Sequence, residues 1–103
     1  MKLRIAITIA AVSMLAGLPA VAQDGSTLFK AKCAMCHGAD GSASTGMGKS
    51  MGLKPLSSPD VQKMSDADMA TLITNGKGKM PAFKGKLSDD EVGAVVKYVR
   101  TLN

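Results

Sequence analysis

Both cysteines of this 103-residue chain and its only histidine fall within one short stretch, Cys33-Ala34-Met35-Cys36-His37. Thiols three residues apart sit one helical turn apart, close enough to form thioether links to the two vinyl groups on one side of a porphyrin. The next residue then lies beneath the ring centre, where an imidazole can ligate iron. C-x-x-C-H is therefore the attachment pattern of haem c, and it dictates that the remaining chain wrap a flat, apolar group. Other uses of these residues fit less well. A structural zinc site takes four ligands, and Cys33, Cys36 and His37 have no second Cys or His to complete it. A thioredoxin-like pair wants a βαβ setting, which is missing. A local disulfide is the remaining alternative in an exported chain.

Export is written into the first residues. Lys2 and Arg4 precede an uncharged run from Ile5 to Leu18, and Ala20-Val21-Ala22 forms a small-x-small cleavage site before Gln23. The run is shorter than the roughly 20 residues of a spanning helix, so residues 1–22 read as a signal peptide rather than an anchor. An uncleaved anchor is the other reading. Cleavage after Ala22 leaves residues 23–103 as one domain with a periplasmic address and no stable membrane insertion.

That domain is short of material for a core. Its aromatic residues are Phe29, Phe83 and Tyr98, with no tryptophan. Chains of about 80 residues seldom stabilise themselves by side-chain packing alone, so a disulfide, metal or cofactor is needed. The length also excludes doubly wound sheets and barrel enzymes. Removing Lys2 and Arg4 lowers the formal charge from +5 to +3. That is too mild, and too poor in clustered Lys/Arg with interleaved aromatics, for a nucleic-acid binder.

The pattern along the chain is all-α. A first helix is expected over Gly25–Met35, with Asp24 or Ser26 as cap and Leu28, Phe29 and Cys33 at helical spacing. Gly38–Gly46 reads as loop, and Gly46–Lys54 as a single helical turn at most. A short helix opens at Ser58 with Pro59 at its first position and ends near Met64. The next starts at Ser65, turns Met69, Leu72 and Ile73 inward, and stops at Asn75-Gly76. The last is the clearest. Ser88 and Glu91 form a capping box, and Val92, Val95, Val96, Val99 and Leu102 make one stripe.

An iron held by His37 needs a second axial ligand, and methionine is the supply. Met35 belongs to the attachment turn, and Met64 and Met69 occupy helical positions typical of core filler. Met80 stands in Gly76-Lys77-Gly78-Lys79-Met80-Pro81, where glycines allow the backbone close to the ring and proline stiffens the turn. Met80 is the first candidate, with Met51 and then Met47 behind it.

With these motifs in place, residues 24–103 resemble the small monohaem class I cytochromes c. The resemblance rests on Cys33-Ala34-Met35-Cys36-His37, on Met80-Pro81 in a Gly/Lys loop, and on a terminal amphipathic helix carrying Tyr98. It implies helices wrapped around one covalent haem, with the N- and C-terminal helices crossing. Gly25 and Phe29 would then meet the Val95, Tyr98 and Val99 region. It also implies that a backbone carbonyl, with Pro55 as candidate, accepts a hydrogen bond from the ligand histidine.

The implied activity is one-electron transfer rather than catalysis. Cys33 and Cys36 would carry the haem, while His37 and Met80 would bind its iron as it cycles between Fe(III) and Fe(II). Imidazole plus thioether ligation raises the potential. Lys77, Lys79, Lys84 and Lys86 flank Met80, with no acidic residue between Asp68 and Asp89. They would steer an acidic redox partner toward a monomeric carrier, or simply form a solvated loop. The alternatives are a small cytochrome subunit of a larger oxidoreductase, and a haem sensor or peroxidase with a labile sixth ligand.

Overall fold

The computed structural model describes residues 24–103. The expected signal peptide lies outside the described residues. Six helices follow in order: α1 Gly25–Lys32, α2 Ala34–His37, α3 Gly46–Ser50, α4 Pro59–Gln62, α5 Asp66–Asn75 and α6 Asp89–Arg100. Two isolated bridges, Lys77 with Met80 and Lys84 with Leu87, are the only β pairing among the described residues. The all-α expectation holds.

Each long helix starts where a side chain satisfies otherwise unpaired backbone N–H groups. At α1 this is Asp24 alone, whose carboxylate accepts from the Ser26 N–H at 2.7 Å and the Thr27 N–H at 3.3 Å. These bonds hold the Asp24 carboxyl below the usual carboxylate range. Ser65 accepts from the Asp68 N–H at 3.0 Å and opens α5. In α6 the reciprocal box is complete, with Glu91 N–H to Ser88 Oγ at 3.1 Å and Ser88 N–H to Glu91 Oε1 at 3.0 Å.

Two boundaries differ from expectation. The first helix does not reach Met35: the chain turns at Cys33, and α2 begins a separate turn that ends at Gly38, in a positive-φ conformation. α4 ends at Gln62 rather than near Met64. There the Arg100 guanidinium donates to the Gln62 carbonyl at 2.9 Å and to the Met64 carbonyl, replacing the N–H groups that would continue the helix.

α1 packs across α6, and α5 packs beside it. Their contact buries Leu28, Phe29, Met69, Ile73, Val92, Val95, Val96 and Val99, joined by Phe83 and Leu87 from the connecting loop. Gly25 allows the crossing, because a Cβ there would lie 2.0 Å from the Ala94 carbonyl oxygen. Phe29 continues it, with its ring centroid 5.1 Å from that of Tyr98. The Tyr98 hydroxyl donates to the Ala39 carbonyl at 3.2 Å, fastening the loop after α2 to the last helix.

Candidate functional site: an apolar crevice between α1, α5 and the Met80 loop

The core residues leave a crevice instead of closing on one another. Its inner part, about 230 Å³, is walled by Phe29, Leu56, Val61, Met64, Met69, Ile73, Val95 and Val99. Its outer part, about 500 Å³, opens past Met35, Met51 and Pro81. Cys33, His37, Leu53, Leu72 and Met80 line both parts. Leu72, expected on the core face of α5, is half-buried because it faces this space.

The attachment segment is held from two sides. The Cys33 N–H donates to the Phe29 carbonyl at 2.8 Å, so the first thiol follows directly from α1. The Cys36 carbonyl accepts from Thr45 Oγ1 at 3.0 Å, and that same oxygen caps α3 by accepting the Gly48 N–H at 2.9 Å. Thr45 therefore locks α2 against α3. Its position before a Gly-rich turn was a readable capping signal, but its reach to Cys36 was not.

The Met80 loop is equally constrained. Lys77 and Met80 exchange backbone hydrogen bonds, at 3.2 and 3.0 Å. The Phe83 and Lys84 N–H groups donate to the Ile73 and Thr74 carbonyls at 3.1 and 3.0 Å, clipping the loop to the end of α5. Gly76 makes the reversal possible: its φ is +73°, and a Cβ there would lie 2.6 Å from the Met80 carbonyl oxygen.

Cys33, Cys36, His37 and Met80 are thus brought to one crevice. Met51 lines only its outer part, Met64 and Met69 only its inner part, and Met47 is an exposed residue that lines neither. The two cysteines are not joined to each other in a disulfide. Burial pushes the Cys33 thiol up to about 11 and lowers the affinity of His37 for a proton, favouring the neutral imidazole that metals bind. His37 Nδ1 is buried without a hydrogen-bond partner among the described residues. The carbonyl of Pro55, the expected acceptor, instead takes the Ser58 N–H at 3.0 Å.

The rim is cationic. Lys77 and Lys79 line the crevice mouth and are joined by Lys32 from α1, while Lys84 and Lys86 stand on the turn beyond Phe83. On the far side, Gln62 Nε2 donates to the Leu56 carbonyl at 2.8 Å and the Val99 carbonyl at 3.1 Å. Arg100 Nε donates to Asp66 at 2.9 Å. Together Gln62 and Arg100 fasten the Leu56–Met64 wall to α6.

These residues fit haem c. The crevice is apolar, of the size that takes a flat organic ligand, and has two thiols, an imidazole and a thioether on its walls. The relatives agree. The family described as cytochrome c oxidase, cbb3-type, subunit III matches residues 20–99. Cytochrome c6 of Picosynechococcus sp. is 38% identical over 104 residues, covering 94% of this chain and 89% of that protein. The cbb3-type oxidase subunit CcoP of Azospirillum brasilense is 36% identical over 81% of this chain, which spans only 29% of that longer protein. Among solved structures, the KustC0563 c-type cytochrome superimposes with a TM-score of 0.71 at 35% identity, covering 78% of this chain and 98% of that one. The chain belongs to the small monohaem class I cytochromes c, electron carriers rather than enzymes, built around one covalently bound haem c.

Proposed function

We propose that this protein is an exported, periplasmic one-electron carrier whose haem c is bound through thioethers to Cys33 and Cys36, with His37 and Met80 as the axial iron ligands. The observation that carries this reading is the convergence of those four side chains on one apolar crevice. The haem supplies the Fe(III)/Fe(II) couple; the chain supplies its surroundings. His37 offers a neutral imidazole, and Met80 a neutral thioether held by a loop tied back to α5. The apolar walls exclude water, and two neutral ligands in a dry site favour the ferrous state. Because both ligands come from anchored segments, little has to move when the charge changes.

The purified protein should have the mass of residues 23–103 plus one haem, and its oxidised form should show the weak far-red absorption of thioether-ligated iron. Met80→Ala should lose that absorption, lower the reduction potential and open the iron to cyanide. Met51→Ala should keep all three properties. The opposite pattern would reassign the ligand to Met51.

The partner reading is an acidic redox protein approaching the mouth beside Lys32, Lys77 and Lys79, with Lys84 and Lys86 adding to the long-range field of a monomeric carrier. The rate of reduction by an acidic electron-transfer protein should fall by about an order of magnitude between low and high salt. A flat profile would reduce the lysines to solvated surface. The cbb3-type family match favours a second reading, a small subunit of a larger oxidoreductase. Gel filtration of native extract separates the two: a carrier elutes at about its own mass.

A further inference from the structure

Among the described residues two large apolar side chains are exposed, Met35 at 77% and Met47 at 49%, whereas Met69 is 4% exposed. Met47 stands clear of the crevice. Met35 lines its mouth, together with Lys32, Lys77 and Lys79, and no carboxylate lines that mouth. A single exposed apolar side chain needs no explanation in itself. This one is a flexible, polarizable thioether amid unopposed cations, where an acidic partner would place its contact surface.

We propose that Met35 is a peroxide-sensitive contact residue, and that its conversion to the sulfoxide weakens docking of an acidic redox partner. The proposal rests on the electron-carrier reading. A lone pair of Met35 Sδ attacks one oxygen of hydrogen peroxide. The S–O bond forms as the O–O bond breaks, the sulfur is oxidised by two electrons, and the departing hydroxide takes the hydroxyl proton and leaves as water. Exposure sets the order of reaction: Met35 first, Met47 next, then the half-buried Met51, Met64 and Met80, with the buried Met69 protected. The product is polar where the thioether was apolar, so contact in the complex is lost. Lys32, Lys77 and Lys79 keep their charge, so long-range steering persists.

The test uses the holoprotein treated with graded hydrogen peroxide and mapped by peptide mass. Two electron donors then serve as probes: ascorbate, and a reduced plant-type [2Fe–2S] ferredoxin as the acidic protein. Mono-oxidised protein should carry its added oxygen at Met35 and keep its far-red absorption and its rate with ascorbate. Its rate with ferredoxin should fall roughly fivefold, the effect of losing one modest contact, with an unchanged salt slope. The Met35→Leu variant should lose nothing on the same treatment. An unchanged ferredoxin rate after oxidation of Met35, prior oxidation of another methionine, or equal losses with both donors would each overturn the proposal. If neither donor reduces the untreated protein, the carrier reading itself fails and takes the proposal with it.

Discussion

A Cys33→Ala/Cys36→Ala chain is expected to be colourless after purification and to show a far-UV circular dichroism spectrum with most of the helical signal gone. The reason lies in the inventory of the core. α1, α5 and α6 turn Phe29, Met69, Ile73, Val95 and Val99 toward a shared space that their own side chains do not fill. Without the haem this crevice, about 230 Å³ and open to solvent, would leave its apolar walls facing water instead of a ligand. A domain of this size has only a small net stability with which to offset that loss. α2, α3 and α4 contain only 4, 5 and 4 residues, too few to persist without tertiary support. The two alanines themselves remove little packing, since Cys33 and Cys36 are only partly buried. The loss therefore measures the haem and not the thiols. A colourless variant with native helix content would show that the polypeptide holds itself together.

What could be read from the sequence follows the range of the forces involved. The caps at Ser65 and Ser88, the valine stripe of α6 and the C-x-x-C-H pattern are local, and periodicity and spacing reveal them. The ends of α1 and α4 were not legible in the same way. α4 stops where it does because Arg100 takes the Gln62 carbonyl from 38 residues away in sequence, and Gln62 reaches Val99 across 37. Nothing between Ser58 and Met64 carries that information.

The site divides along the same line. Cys33, Cys36 and His37 were visible because one turn of chain carries them. Met80 stood out because glycines and a proline mark its loop, although sequence alone left Met51 and Met47 in competition with it. Met80 and Met51 line the crevice, whereas Met47 lies on the surface outside it. The cationic rim also has a non-local member: Lys77 and Lys79 line the mouth beside Met80, while Lys32, brought there by α1, was not legible from that loop. The Pro55 carbonyl is not paired with His37 Nδ1, and where a carbonyl points depends on the turn it stands in. Here that turn belongs to Ser58.

Gly25→Ala is expected to destabilise the holoprotein by about 2 kcal/mol, as overpacking of a close contact does, whereas Gly93→Ala on the same helix pair should stabilise it by about 0.5–1 kcal/mol. Both changes add one methyl group and both favour helix; only the surroundings differ. At Gly25 the new carbon would lie 2.0 Å from the Ala94 carbonyl oxygen, 2.6 Å from its carbon and 3.1 Å from Tyr98 Cβ. Two of those atoms are backbone in the middle of α6 and cannot rotate away, so α1 has to move off as a body. That movement is transmitted inward, because α1 carries Phe29 onto Tyr98 and leads directly into Cys33. At Gly93 an added carbon meets nothing within 4 Å, so the substitution acts mainly by restricting the unfolded chain. Urea midpoints of the two holoproteins, at equal haem content, measure the contrast. A Gly25→Ala midpoint at or above wild type would mean that the helices do not cross at that glycine, and the fold around the crevice would have to be redrawn.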